Sequence, residues 1–282
     1  MSSRPRSSFD IVPRRVRVHA VHELTGSMVR TTLRDVDGAD PAAPSSLAAL
    51  RAPGPDDHVK VFLPDPATGE LHAPTLAPDG GLQRPTAGVS VSRDLTVRDA
   101  RTRDGAAEVD LDWVLHGNAG QASAWAARAE VGDELVLAGP HVSHGVPDGV
   151  DRLTLAVDET GLPAAARWVA AVGPDVRVTA IVEIGDDVDE EFVESELGGA
   201  DVELLYRTGG PGQLAEAVRA LGPLDDGEYV VGLGEAGDLV PVRRHLRREL
   251  GLGADRMSIA GYWRRGTVNH DHEQPLDPVD PD

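Results

Sequence analysis

The hydrophobic rhythm of the chain changes once, near Val150, and that change limits the fold more than any other feature. Before it, apolar residues recur at every second position in residues 14–24, 27–36, 58–64, 88–101, 106–117 and 132–140. A period of two is the signature of a half-buried strand. Six such strands, separated by turns rich in proline and glycine, predict a small antiparallel barrel. Residues 37–57 read as a long loop, and a helix over 121–131 follows "GNAG". Beyond residue 150 the strands become short apolar runs, at 151–158, 176–184, 201–207, 228–234 and 255–263. Helical stretches lie between them, at 162–172, 189–197, 212–221 and 240–250. Strands alternating with helices predict a parallel α/β sheet. The expectation is therefore two domains, over residues 14–148 and 149–266. The polar, proline-rich tail 267–282 reads as disordered. His270 and His272 within it read as solvated and not as a metal pair.

Composition excludes several classes of function. The chain of 282 residues holds no cysteine, which removes disulfides, thiolate nucleophiles and cysteine-bound clusters. A net charge of −20 opposes nucleic-acid binding, because phosphate backbones would be repelled. No apolar run spans a bilayer, and "MSSRPRSSFD" has no apolar core for a signal peptide, so a cytoplasmic protein is expected. Basic residues are almost all arginine. Lys60 is the only lysine.

One strand carries an unusual set of residues. "VSRDLTVRDAR" places Arg93 and Arg98 around Thr96. Two readings are open: a phosphate-bearing ligand lying along the strand, or a half-exposed strand with arginines in water. No G-x-G-x-x-G follows the first strand of the α/β half, so the ordinary dinucleotide fingerprint is absent.

Four stretches and an end motif occur in a fixed order: "PDDHVKVFLP", "SRDLTVRDAR", "LDWVLHGNAGQASAWAARAEVGDELVLAGP", "VDETGLPAAARW" and "GYWRRG". Together they make the chain resemble the siderophore-interacting proteins, flavin-dependent reductases of ferric siderophores. The resemblance runs from about Arg14 to Gly266. It implies a two-domain, ferredoxin-reductase-like fold: an antiparallel β-barrel flavin domain, then a parallel α/β nicotinamide-binding domain. It implies FAD as cofactor, NADPH or NADH as electron donor with ferredoxin as an alternative, and release of iron as Fe(II) from a ferric siderophore.

The family's strand motif, R-x-Y-T-x-R, is matched by Arg93, Thr96 and Arg98, which the resemblance places along FAD. Guanidinium groups suit phosphate. The family tyrosine is replaced by Leu95, which gives apolar contact without aromatic stacking. The resemblance also carries His116, Gly117, Gly120, Ala122 and Ser123 to the flavin, at a helix start that favours an anion. The family proline there is Gln121. Trp125 reads as core. In "VDETGLPAAARW", Asp158 and Thr160 are expected at the cofactor, Thr160 also as a helix cap, and Glu159 beside them. Gly234 and Glu235 occupy a corresponding turn later in the sheet. Lys60, Arg128 and Arg264 are the expected cations for an anionic ferric siderophore. Arg207 or Arg243 could grip a 2′-phosphate. Two other readings remain open: a flavin-free binding protein on the same scaffold, and a flavin reductase with another acceptor.

Overall fold

The computed structural model describes residues 3–77, 79–115, 120–185, 188, 190–268, 270–272 and 274–279. Its chain divides into two compact units. One comprises Arg6–Gly145; the other comprises Val146–Asp282 together with Met1–Pro5.

The first unit contains β1 (Arg6–Ser8), β2 (Pro13–Thr25), β3 (Met28–Asp35), β4 (His58–Leu63), β5 (Thr75–Leu76) and β6 (Leu82–Gln83). After these come β7 (Val91–Arg103), β8 (Ala106–Val114), α1 (Gln121–Ala126), β9 (Glu134–Ala138) and β10 (Val142–His144). Strands β2, β3, β8, β7, β4 and β9 close an antiparallel barrel in that order. Alternation drives closure: Val16, Val18, Leu33, Val59, Val61, Val97, Leu111, Leu135 and Leu137 all point into one core. Trp113 and Trp125 meet there with ring centroids 4.9 Å apart, and the Trp113 indole donates to Thr31 Oγ1 at 2.9 Å. Trp125 is thus a core residue. Helix α1 ends at Ala126, five residues before the expected limit of 131. The Arg128 and Ala129 amides bond three residues back, to Trp125 and Ala126, so the helix tightens into turns that lead into β9.

Part of the acidity of the chain sits on the outer face of this barrel. Arg30 holds Asp112 with two bonds of 2.6 and 2.8 Å. Arg34 holds Glu108, and Arg101 bridges Glu108 and Asp110. These cross-strand pairs neutralise carboxylates that are almost fully buried on the sheet.

The second unit contains β11 (Arg152–Asp158), α2 (Leu162–Val172), β12 (Arg177–Ile184), α3 (Glu190–Glu196) and β13 (Asp201–Tyr206). It continues with α4 (Leu214–Ala220), β14 (Glu228–Glu235), α5 (Ala236–Arg244) and β15 (Met257–Trp263). All strands are parallel, in the order β13-β12-β11-β14-β15. The order reverses between β11 and β14, which makes the crevice at their carboxyl ends the switch point where parallel α/β sheets bind ligands. Helix α5 starts four residues before the expected 240, because the Glu235 side chain caps it by accepting from Asp238 N at 2.7 Å. Two residues of the tail make contacts with the α/β unit. Leu276 packs on the core under α4 and α5, and the buried Asp277 carboxylate accepts from Arg244 Nε at 2.6 Å. Apolar contact and an ion pair together hold this short stretch.

Candidate functional site

Strand β7 is shared between two ladders that do not overlap. Val91–Thr96 side pairs only with β4, and Val97–Arg103 only with β8. The first half of β7 therefore leaves β8, and among the described residues its edge away from β4 has no strand partner at the lip of the barrel. Helix α1 packs beside this opening, against both β7 and β8. A bulge between Val97 and Asp99 marks the point of departure, with Arg98 at its centre.

The residues of the strand motif sit on this lip. Arg93 and Leu95 share the inward side of β7 with Val91 and Val97, opposite Val61 and Val59 of β4. Leu95 packs against the barrel core and remains part-exposed. Arg93 is half-buried. Its one hydrogen bond is to the neighbouring Ser92 carbonyl at 2.6 Å, and among the described residues it has no ion-pair partner. Burial lowers its pKa, and the nearby Asp94 only partly offsets this. A desolvated guanidinium without a carboxylate is a fit for an incoming phosphate. Thr96 is buried on the other side of the strand, so Arg93 and Thr96 do not point the same way. Gly120 caps α1 without a side-chain bond, Ala122 packs on the barrel core and Ser123 is buried. His116 and Gly117 lie outside the described residues.

The expected substrate cations are placed as follows. Lys60 Nζ lies 2.7 and 2.8 Å from the two carboxylate oxygens of Asp94, its cross-strand neighbour. The pair is exposed and locally neutral. Arg128 is exposed beyond the end of α1. Arg264, in the second unit, donates to the Leu276 carbonyl at 3.4 Å.

The carboxyl edge of the parallel sheet is acidic and internally bonded. Asp158, at the end of β11, is buried and accepts hydrogen bonds from three segments. Thr160 N and Thr160 Oγ1 bond one oxygen at 2.9 and 2.5 Å; Glu235 N and Trp263 Nε1 bond the other at 2.9 and 2.8 Å. The expected cap role of Thr160 is thereby corrected. Asp158 caps the 3-10 turn Glu159–Gly161, the Thr160 hydroxyl is a donor to it, and α2 starts with no side-chain cap. Gly234 is required here: with φ of 151°, a Cβ would come within 2.6 Å of the Asp158 carboxylate.

Arg207, just after β13, is also corrected. It forks onto both oxygens of Glu159, bonds Glu183 Oε1 at 3.2 Å and reaches the Glu183 carbonyl at 3.3 Å. Burial lowers its pKa, but the Glu159 hydrogen bonds and the charges of Glu159, Asp158 and Glu183 outweigh that and raise it overall. It is not a free phosphate ligand. Arg243, the other candidate, is buried in α5. Sequence reasoning missed Glu183 and Trp263 as parts of this edge. A signal existed, since β11, β12 and β14 each carry a carboxylate in their last two positions.

Burial, then the neighbouring Glu159, pushes the Asp158 pKa up from 3.8 to about 6, against the bonds from Thr160 and Trp263. A folded pKa above the unfolded one means that stability from this group is complete below the unfolded value. It is lost as pH rises through about 6. Trp263 reports on this ionisation through its indole bond. Tryptophan fluorescence is expected to step with a midpoint near pH 6, and the step should vanish in both Trp263→Phe and Asp158→Asn. A step that persists in both variants assigns the titration elsewhere.

A closed six-stranded antiparallel barrel followed along the chain by a five-stranded parallel sheet is the ferredoxin-reductase-like fold. Within that class the chain belongs to the siderophore-interacting protein family. Residues 17–144 match the siderophore-interacting FAD-binding domain, and residues 150–266 match the siderophore-interacting protein domain. A siderophore utilization protein from T. fusca is similar in structure, with 35% identity and a TM-score of 0.80 over 96% of this chain and 100% of that one. An uncharacterized Mycobacterium tuberculosis protein is 34% identical over 94% of this chain and 93% of its own. An NADPH-dependent ferric-chelate reductase of Escherichia coli is 29% identical over 77% of this chain and 83% of its own. Among the described residues no helix is long and apolar enough to cross a membrane.

Proposed function

We propose that the protein is an FAD-dependent reductase of ferric siderophores, which takes electrons from a nicotinamide dinucleotide and releases iron as Fe(II). The observation that carries this reading is Arg93. In a chain with 47 acidic and 27 basic residues, Arg93 is half-buried on the motif strand, bonds only the neighbouring Ser92 carbonyl and has no carboxylate partner among the described residues. It sits on a strand edge that has no strand partner among the described residues, where a cofactor phosphate would complete its hydrogen bonds. The family membership and the names of the relatives support the same reading.

Bound FAD would supply the electron transfer from a two-electron donor to Fe(III), so no nucleophile or general base is required of the chain. Arg93 would hold the pyrophosphate, with Thr96, Arg98, His116, Gly117, Gly120, Ala122 and Ser123 around the rest of the cofactor. Leu95 would give the ring an apolar contact. In this reading residues 14–148 form the flavin domain and residues 149–266 the dinucleotide domain, with Asp158 and Thr160 at its edge. Lys60, Arg128 and Arg264 attract the anionic iron complex. Lys60 does so against Asp94, whose carboxylate cancels much of its charge. Fe(II) is held less tightly than Fe(III) by hard oxygen ligands, which frees the metal.

Initial rates of iron release to a ferrous chelator test the reading, with an anionic and a neutral ferric complex compared at saturating flavin. Lys60→Ala is expected to raise KM for the anionic complex by several-fold, and Asp94→Asn to lower it, with little change for the neutral one. Purified protein that is colourless and does not take up FAD would favour the flavin-free binding protein, the reading that Leu95 supports. Yellow protein that releases no iron would favour a flavin reductase with another acceptor.

A further inference from the structure

The outward side of β4 carries His58, Lys60 and Phe62, because Val59, Val61 and Leu63 face the core. Strand β7 sets Asp94 opposite Lys60, while β9 sets Ala138 opposite Lys60 and Val136 opposite Phe62. Phe62, Val136 and Ala138 form a small apolar cluster, packed by Leu71 and Ala73 from the chain that follows β4. That stretch turns back through a bond from Asp65 N to the Glu70 carbonyl at 2.8 Å. Lys60 is the only lysine or arginine on the outward side of β4 and of the residues paired with it.

The charge of Lys60 does not stand alone. Its Nζ lies 2.7 and 2.8 Å from the two oxygens of Asp94. The next cations across the sheet, Arg15 and Arg17 of β2, pair with Glu134, and Arg17 also with Asp37. The turn over the apolar cluster adds Asp65 and Glu70, and residues 64–73 hold no lysine or arginine. Lys60, Arg15 and Arg17 thus stand against Asp94, Glu134, Asp37, Asp65 and Glu70. His58 on the face, and His72 at 3.3 Å from Glu70, add charge only when protonated. The local excess of carboxylates has the same sign as the −20 of the whole chain. Each negative charge on an approaching complex therefore meets repulsion, whereas an uncharged complex meets none.

We propose that Asp94 is a specificity-determining residue for the iron complex. By holding Lys60 it turns the protein toward ferric complexes of little or no charge and away from highly anionic ones. Three hydroxamates balance the charge of Fe(III), whereas three catecholates leave the complex trianionic, so the tris-hydroxamate class is the one that fits. A singly charged anion still gains from Lys60; a trianion is opposed by Asp94, Asp65 and Glu70 together. The proposal rests on the reading of Lys60 as a cation of the acceptor site.

Gallium(III) has the charge of Fe(III) but is not reduced under these conditions, so its complexes report binding apart from electron transfer. The test is a calorimetric titration of the full-length protein with a gallium(III) tris-hydroxamate and a gallium(III) tris-catecholate. It is run above the pH range in which histidine titrates, at several salt concentrations. The wild type is expected to bind the uncharged complex more tightly. Its affinity for the trianion should rise with salt, because salt screens a repulsion. Asp94→Asn should tighten the trianion by roughly five- to tenfold and leave the uncharged complex unchanged. The pair is exposed, so this substitution costs little stability. Four results overturn the proposal: equal or tighter binding of the trianion by the wild type, a trianion affinity that falls with salt, an equal effect of Asp94→Asn on both complexes, or binding of neither. Failure of the reductase reading would be seen separately, as absent flavin or absent iron release, and gallium binding depends on neither.

Discussion

Arg207→Leu is expected to destabilise the protein by about 3–5 kcal/mol, measured as the shift in urea or thermal unfolding of the α/β unit. The substitution strands two carboxylates in an interior that no longer compensates them. Glu159 and Glu183 have side chains 7% and 2% exposed, and Arg207 is the guanidinium that bonds both. Glu183 would keep its bonds from Gly212 N and Gln213 N, so the heavier loss falls on Glu159, whose other bond is from Gly185 N. A double-mutant cycle separates charge from packing. Arg207→Leu combined with Glu159→Leu should cost clearly less than the sum of the two single changes, because the second removes the charge that the first left unpaired. Additive losses, or a single loss below about 1 kcal/mol, would mean that the pair is solvated like a surface ion pair.

Arg93→Ala is expected to weaken FAD binding by about 1.5–3 kcal/mol, the range for hydrogen bonds to a charged group. That is roughly a 10- to 150-fold rise in Kd. Stability without flavin should fall little or even rise, because a desolvated guanidinium lacking a carboxylate is costly to bury. Opposite movements of affinity and stability are what distinguish a ligand contact from a structural arginine. Leu95→Tyr supplies the comparison from the same side of the strand, and should tighten FAD binding by about 1 kcal/mol if the ring lies there. Unchanged flavin retention in Arg93→Ala would remove the strand from the cofactor site.

The barrel strands were legible because their core residues recur mostly at every second position. Residues 58–64, for example, alternate through Val59, Val61 and Leu63, all core residues. The parallel sheet was legible for the complementary reason, since β11 and β14 are buried on both faces and read as apolar runs. Helix α1 was overextended because alanines and a polar stripe continue past Ala126, while the backbone there turns through bonds to carbonyls three residues back. The contacts of Leu276 and Asp277 in the tail were not legible, because its composition shows neither the apolar contact nor the ion pair to Arg244.

At the candidate site, Arg93 could be singled out from a short motif. Its lack of an ion-pair partner could not, since every arginine in an acidic chain has carboxylates nearby in sequence. The Glu159–Arg207–Glu183 trio was invisible for a simpler reason. Arg207 lies 48 and 24 residues from its partners, and only the parallel register of β11, β12 and β13 brings them together. The Asp158–Trp263 bond spans 105 residues and depends on β14 lying between their strands.

The divided pairing of β7 also makes the strand tolerant to change in an uneven way. Closure of the barrel against β8 depends on Val97–Arg103, whereas Val91–Thr96 answers to β4 alone. Side chains at the lip can therefore be exchanged without loosening the β7–β8 seam, which is how a leucine can stand at position 95 in an otherwise intact barrel. The same division separates two mobilities within one continuous strand. Deuterium should enter the outward amides of the first half well before those of the second, so that the lip of the barrel breathes while the β7–β8 seam stays shut.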